Sequence, residues 1–118
     1  MIKPTKELGN KGEDFTAQWL EKQGFTICAR NYRKRWGEID VVASKGELLV
    51  FVEVKTRKDK YFPISETVTY SKQKKLIRTA HSFVLENKIQ DKVLRFDIAA
   101  LTSNGTHYEI TYIPNAFS

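Results

Sequence analysis

The sequence predicts an α/β domain whose mixed central β-sheet is flanked by helices, with elements in the order α-β-β-β-α-β-β. Three observations predict it. Apolar residues recur at helical spacing in two segments, near residues 5–23 and 71–87. Five runs rich in Val, Ile, Phe and Tyr, bounded by turn-prone residues, have the character of strands. The second helical segment falls between the third and fourth runs and leaves room for a crossover, which makes some strand neighbours parallel.

The first helix, residues 5–23, puts Glu13 on an arc with Gly9, Thr16, Ala17 and Leu20, opposite Asn10, Asp14, Gln18 and Glu21. Asn10 with Glu13 three residues on has the form of a capping box, and Gly24 supplies a stop. A strand follows at 25–32. Residues 38–44 and 47–57 read as a hairpin about a Lys45-Gly46 turn. Its second arm carries LLVFVEV, a nearly continuous apolar run of the kind that marks a central strand covered on both faces. Pro63 belongs to the loop beyond. The second helix opens at Ser71 or a neighbour and reaches about Asn87, with Leu76, Ile77, Ala80, Phe83 and Val84 on its apolar face. Strands at 93–101 and 107–113, parted by Ser103-Asn104-Gly105, complete the chain.

With 118 residues and 41% hydrophobic content, one compact domain spanning 1–118 is expected. No stretch approaches the roughly 20 apolar residues of a membrane helix, and no charged-then-apolar leader opens the chain, so a soluble cytoplasmic protein with no membrane partner is expected. Cys28 lies in an apolar run. Alone, it excludes an internal disulfide and a structural zinc site, and it reads as a small buried hydrophobe. The balance of 20 Lys and Arg against 14 Asp and Glu gives a net charge of +6 and a pI near 9.5, which suits a polyanionic partner.

The hairpin carries the chemistry. Alternation sends Val50, Val52 and Val54 to one face of the strand and Phe51, Glu53 and Lys55 to the other. In the partner strand, Ile39 and Val41 fall on one face and Glu38 and Asp40 on the other. A two-residue Lys45-Gly46 loop sets Ser44 opposite Glu47 and Glu38 opposite Glu53, with Asp40 a diagonal neighbour of Glu53. Carboxylates so close repel one another unless a cation or protons neutralise them. Hard oxygen ligands suit Mg²⁺ or Mn²⁺, and Lys55, roughly 7 Å along the strand from Glu53, is within reach of a phosphate held there. A mixed acidic and basic face is otherwise ordinary solvated surface; its setting in a central strand argues for a job.

Glu13, on the apolar arc of its helix, either caps backbone amides or reaches a metal or lysine. Gln73 shares the stripe of Ile77, Ala80 and Val84, where its amide satisfies nearby backbone or serves a site. Asp97 pairs with Arg95 and stays outside the catalytic set. Lys72, Lys74 and Lys75 crowd the start of the second helix, where the macrodipole disfavours cations and a phosphate would relieve the misfit. Arg30, Arg33, Lys34 and Arg35 flank Tyr32 and Trp36 before the acidic strand. Arg57, Lys58 and Lys60 flank Tyr61 and Phe62 after the catalytic one. Both clusters suit a sugar-phosphate backbone with aromatics to stack on bases, although charged solvated loops look the same. His81 and His107 read as structural.

Gly37-Glu38-Ile39-Asp40 followed by Phe51-Val52-Glu53-Val54-Lys55-Thr56-Arg57 resembles the signature of the PD-(D/E)XK nuclease superfamily. More closely, the chain resembles the small YraN-like bacterial family, itself similar to archaeal Holliday-junction resolvases. Gly12-Glu13, Lys72-Gln73 and Arg95-Phe96-Asp97 extend the likeness over nearly the whole chain, with Ile39 standing where the superfamily name has proline. The resemblance implies a restriction-endonuclease-like fold and a Mg²⁺-dependent phosphodiester hydrolase. It implies metal ligation by Asp40 and Glu53, a catalytic lysine at Lys55, and supporting roles at Glu13, as a further ligand, and Gln73. The expectation is an endonuclease cutting DNA known by its shape, such as a branch or junction, since no base-reading module is present. A homodimer would suit symmetric cutting of two strands. The alternatives are a nucleic-acid-binding module of the same fold without turnover, and a protein-interaction domain with a basic surface.

Overall fold

The computed structural model describes residues 4–58, 68–104 and 107–118, with side chains from residue 11 onward. The elements are α1 (Pro4–Lys22), β1 (Thr26–Lys34), β2 (Gly37–Lys45), β3 (Leu48–Arg57), α2 (Tyr70–Glu86), β4 (Val93–Ser103) and β5 (Tyr108–Phe117), in the expected order. The predicted loop residue Pro63, the flanking Lys60, Tyr61 and Phe62, and the turn residue Gly105 lie outside the described residues.

Helix α1 begins at Pro4, so Asn10 is an interior position and the expected capping box does not form. Its end follows expectation. Gly24 takes φ +96°, the Phe25 N–H donates to Leu20 O and the Gly24 N–H to Glu21 O, which together satisfy the last carbonyls in a Schellman motif. Helix α2 is capped by Thr69, two residues before Ser71: its side chain accepts the Lys72 N–H at 3.2 Å.

The strands form one sheet in chain order, antiparallel throughout except for the parallel pair β3–β4 that α2 makes possible. β3 is therefore the middle strand, as its apolar run implies. Helix α1 covers one face, where Leu20 packs with Val41, Val50 and Val52. Helix α2 covers the other, where Leu76, Ala80 and Phe83 pack with Ile39, Phe51 and Phe96.

Two details of the hairpin differ from expectation. The turn is Gly46-Glu47, with Lys45 opposite Leu48 and Val41 opposite Val52, because Gly46 (φ +59°) takes the first central position as a type II′ turn requires. The shift keeps the parity of the faces but makes Asp40 level with Glu53, where a diagonal contact was expected. Ile39 and Val41 do not share a face: Ile39 joins the core under α2 and Val41 the core under α1. The alternation breaks at Asp40, across from Asn31, whose φ of +53° lies in the left-handed region that asparagine tolerates.

At the other side of the sheet, Asp97 is fully buried on the α1 face, in register with Val52. Arg95 donates to it through Nε and Nη2, both at 2.9 Å, Tyr112 through its hydroxyl at 2.5 Å, and Asn115 through its N–H at 2.9 Å. The carboxylate thus pins the irregular stretch of β5 between Ile113 and Phe117 to β4. The Asp97–Arg95 pair expected from sequence is present. Cys28, by contrast, is exposed on edge strand β1 and is no part of the core.

Each helix meets the sheet over a glycine. A Cβ on Gly37 would come within 2.7 Å of Thr79 Oγ1 and 3.3 Å of Lys75 O; one on Gly12 would come within 2.6 Å of Thr56 Oγ1. Thr79 is buried and bonded to Lys75 O, so it cannot yield, whereas Thr56 is exposed and can rotate. Gly37→Ala should therefore cost about 1–3 kcal/mol of stability, and Gly12→Ala less. Urea unfolding of the two variants checks the order.

Candidate active site

The sheet opens at its centre. The β2–β3 ladder runs from Lys45 and Leu48 to Val41 and Val52, while β1–β2 continues to Lys34 and Gly37, and β3–β4 to Arg57 and Thr102. Beyond Val52, β3 keeps β4 but parts from β2, which leaves backbone donors on its opened edge. The Val54 N–H donates to Asp40 Oδ2 at 2.8 Å, so a side chain takes over the ladder where the strands diverge. That bond fixes Asp40 at the crotch of the fork.

Glu53 reaches the same place from β3. It is only 6% exposed, and its Oε2 lies 2.6 Å from Lys72 Nζ and 3.5 Å from Lys55 Nζ. Burial, and then the charge of Glu53, push the Asp40 carboxyl up to about 8, against the lowering effect of the Val54 N–H. Glu13 approaches from α1 and raises Asp40 further. Its own pKa is raised, chiefly by burial. Glu13 Oε1 is buried without a hydrogen bond, and the Arg30 guanidinium stands 3.9 Å away. Burial, and then the nearby Lys72, lower Lys55. Lys72 itself is raised, since Glu53 and its other neighbours outweigh a burial that alone would lower it.

The structure thus brings together Asp40, Glu53 and Lys55, with Glu13 beside Asp40. Gln73 shows the backbone-satisfying alternative: its Nε2 donates to Val68 O at 3.2 Å. Its neighbour Lys72 enters the site, a contact the sequence reading missed. The signal was available, because Lys72 begins the stripe of Leu76, Ala80 and Phe83 that faces the sheet.

Several expected phosphate contacts are engaged within the protein. Arg33 pairs with Glu38 at 3.2 Å, Lys34 with Glu86, and Arg30 with Asp14 at 2.6 Å. Arg35, Arg57, Lys58, Lys74 and Lys75 are exposed, with Lys74 over the Tyr70 ring at 4.6 Å. Tyr32 and Trp36 are not free to stack on bases as expected: Tyr32 bonds to Glu86 and packs edge-on against Phe83, and Trp36 lies under the Arg78 guanidinium at 4.0 Å. A pocket of about 310 Å³ adjoins the fork, lined by Gly37, Glu38, Thr69, Ser71, Lys72 and Lys75 among others.

No three Asp, Glu, His or Cys side chains are arranged to hold a metal among the described residues, so Glu13 does not complete a three-carboxylate cage. The donor set still suits a hard divalent cation. Mg²⁺ needs only one or two carboxylates, with water and phosphate as its remaining ligands. Asp40 and Glu53 supply that pair, and the raised Asp40 carboxyl shows that its negative charge is poorly balanced where it stands.

The fold and site define a class: a small α/β domain with a buried carboxylate pair and two lysines at the fork of a mixed sheet. The chain belongs to the family described as Uncharacterised protein family UPF0102, whose pattern matches residues 12–101. It is 42% identical over 115 residues to a UPF0102 protein of Dictyoglomus turgidum, covering 95% of this chain and 98% of the relative. It is 44% identical over 114 residues to one of Desulforapulum autotrophicum, covering 95% and 93%. A relative in Geobacter metallireducens is 41% identical over 113 residues, with 95% and 93% covered.

Folding raises the Asp40 pKa from its ordinary 3.8, so the fold prefers the protonated form. That contribution to stability is full below about pH 4 and is lost as pH climbs through about 8. Asp40→Asn keeps an acceptor for Val54 without the charge, and should stabilise the metal-free protein at pH 8 by about 2 kcal/mol or more. At pH 4 the advantage should vanish. Melting curves of both proteins in chelator across that range measure it.

Proposed function

We propose that this domain is a metal-dependent endonuclease that hydrolyses phosphodiester bonds in DNA. One observation carries the reading: Asp40, Glu53 and Lys55 converge where β2 parts from β3. Two carboxylates with a lysine beside them form an asymmetric centre, able to hold a divalent cation on one side and a phosphate on the other. Bound Mg²⁺ or Mn²⁺ would supply Lewis acidity at the phosphate and a lowered pKa for the attacking water. Asp40, held by the Val54 N–H, and Glu53 are the residues to bind it. The Lys55 ammonium, within reach of a phosphate lodged in the fork, stabilises charge that develops on the phosphate oxygens. Exposed Arg35, Arg57, Lys58, Lys74 and Lys75 contribute sequence-independent backbone attraction.

No element of the sequence resembles a base-reading module, which favours recognition by shape, and branched or junction DNA fits that mode. Symmetric cutting of two strands would need a second copy of the chain. A cytoplasmic location agrees with such a substrate, and no helix among the described residues is long and apolar enough to cross a membrane.

Incubating the protein with branched, single-stranded and duplex DNA, with Mg²⁺, Mn²⁺ or chelator, tests the reading. Cleavage should require the metal. Lys55→Ala and Asp40→Asn should each slow it by about 100-fold or more, with DNA affinity within a few-fold of the wild type. Cleavage in chelator, or full activity of Lys55→Ala, would contradict the mechanism. Binding without turnover in any metal would assign the fold to a non-catalytic nucleic-acid module.

A further inference from the structure

Glu53 carries more positive charge than a carboxylate about to share a divalent cation can keep. Lys72 and Lys55 both approach the same oxygen, Oε2, at 2.6 and 3.5 Å. A cation held between Asp40 and Glu53 would add two charges at this spot, a few ångströms from both ammonium groups in a largely buried setting. One lysine has to leave.

The surroundings say which. Lys55 stands on β3, two residues from Glu53, on a strand held throughout by β4, and its side chain is 24% exposed. Lys72 stands on the first turn of α2, is 37% exposed, and lines the pocket of about 310 Å³. Its four-carbon stem can turn into that space by rotamer changes alone. The described residues that line it include Lys75, Thr69 and Ser71, and the one carboxylate among them, Glu38, is already paired with Arg33. No acidic residue occupies the first turn of α2 to balance the lysines there. An anion is the natural occupant.

We infer that Lys72 is an exchangeable counter-ion: it neutralises Glu53 in the metal-free protein and moves to a substrate phosphate in the adjoining pocket when a divalent cation takes up the two carboxylates. The inference rests on the proposed nuclease function and gives that site a second phosphate contact besides Lys55. It also makes metal and substrate binding cooperative, since each removes an obstacle to the other.

Calorimetric titration of Mn²⁺ into the wild type, Lys72→Gln and Lys72→Arg tests the first half. Without nucleic acid, Lys72→Gln should bind Mn²⁺ about tenfold more tightly than the wild type, because the competing ammonium is gone. Lys72→Arg should stay near the wild type. For the second half, binding to a cleavage-resistant branched phosphorothioate oligonucleotide is followed in Mn²⁺ against salt. Lys72→Gln should lose several-fold in affinity, with a log–log salt slope shallower by about one. Equal or weaker Mn²⁺ binding by Lys72→Gln would overturn the inference and reduce Lys72 to a structural partner of Glu53. So would an unchanged salt slope. Failure of both proteins to bind Mn²⁺ at all would remove the nuclease reading as well, whereas a wild type that binds Mn²⁺ beside a Lys72→Gln protein that binds it no better removes this inference alone.

Discussion

The hydrogen bond from the Val54 N–H to the Asp40 carboxylate is the constraint on which the site depends. A strand that loses its neighbour exposes donors that must be satisfied, and here a carboxylate satisfies the first of them from within the protein. Asp40 is thereby held in a place where burial and Glu53 both oppose its ionisation. The fold bears this cost because the sheet around it is otherwise continuous: β1 stays with β2, β4 stays with β3, and a helix lies on each face. A fork in a well-supported sheet is a rigid place to mount opposed charges, in keeping with the general link between perturbed carboxyls and functional sites.

Charges arrive at the fork from every element around it. Glu13 comes from α1, Asp40 from β2, Glu53 and Lys55 from β3, and Lys72 from α2. The helices can deliver theirs because both lie close to the sheet over residues without side chains, α1 through its own Gly12 and α2 over Gly37 of β2. Away from the fork, Asp97 is matched fully, with four donated hydrogen bonds on its two oxygens. The contrast distinguishes a buried carboxylate that holds strands together from Asp40, whose ionisation burial and Glu53 both oppose.

Most of this architecture was legible in the sequence, since it rests on period and composition. The two helical stripes, the apolar LLVFVEV strand and the acidic residues on its flank gave the order of elements and the convergence of Asp40, Glu53 and Lys55. Finer placement rested on backbone conformation that side-chain patterns do not report. The turn moved by one residue because Gly46 is suited to positive φ, and the alternation failed at Asp40 because Asn31 turns left-handed across from it. Strict period two cannot foresee such a flip, so Ile39 and Val41 were assigned to one face when they occupy two. Tyr32, Trp36 and Lys34 read as free for a ligand, yet long-range partners on α2 had claimed them. Those partners lie 42 to 54 residues away, beyond what local pattern can see.

Titrating Mn²⁺ into isotopically labelled protein, and following the loss of backbone amide signals by nuclear magnetic resonance, tests whether a divalent cation binds between Asp40 and Glu53. At substoichiometric Mn²⁺ the amides of residues 40, 53 and 54 should broaden first, with those around residue 13 close behind. Broadening centred instead on exposed carboxylates away from the fork, such as Glu21 or Glu47, with the fork untouched, would contradict this placement of the cation.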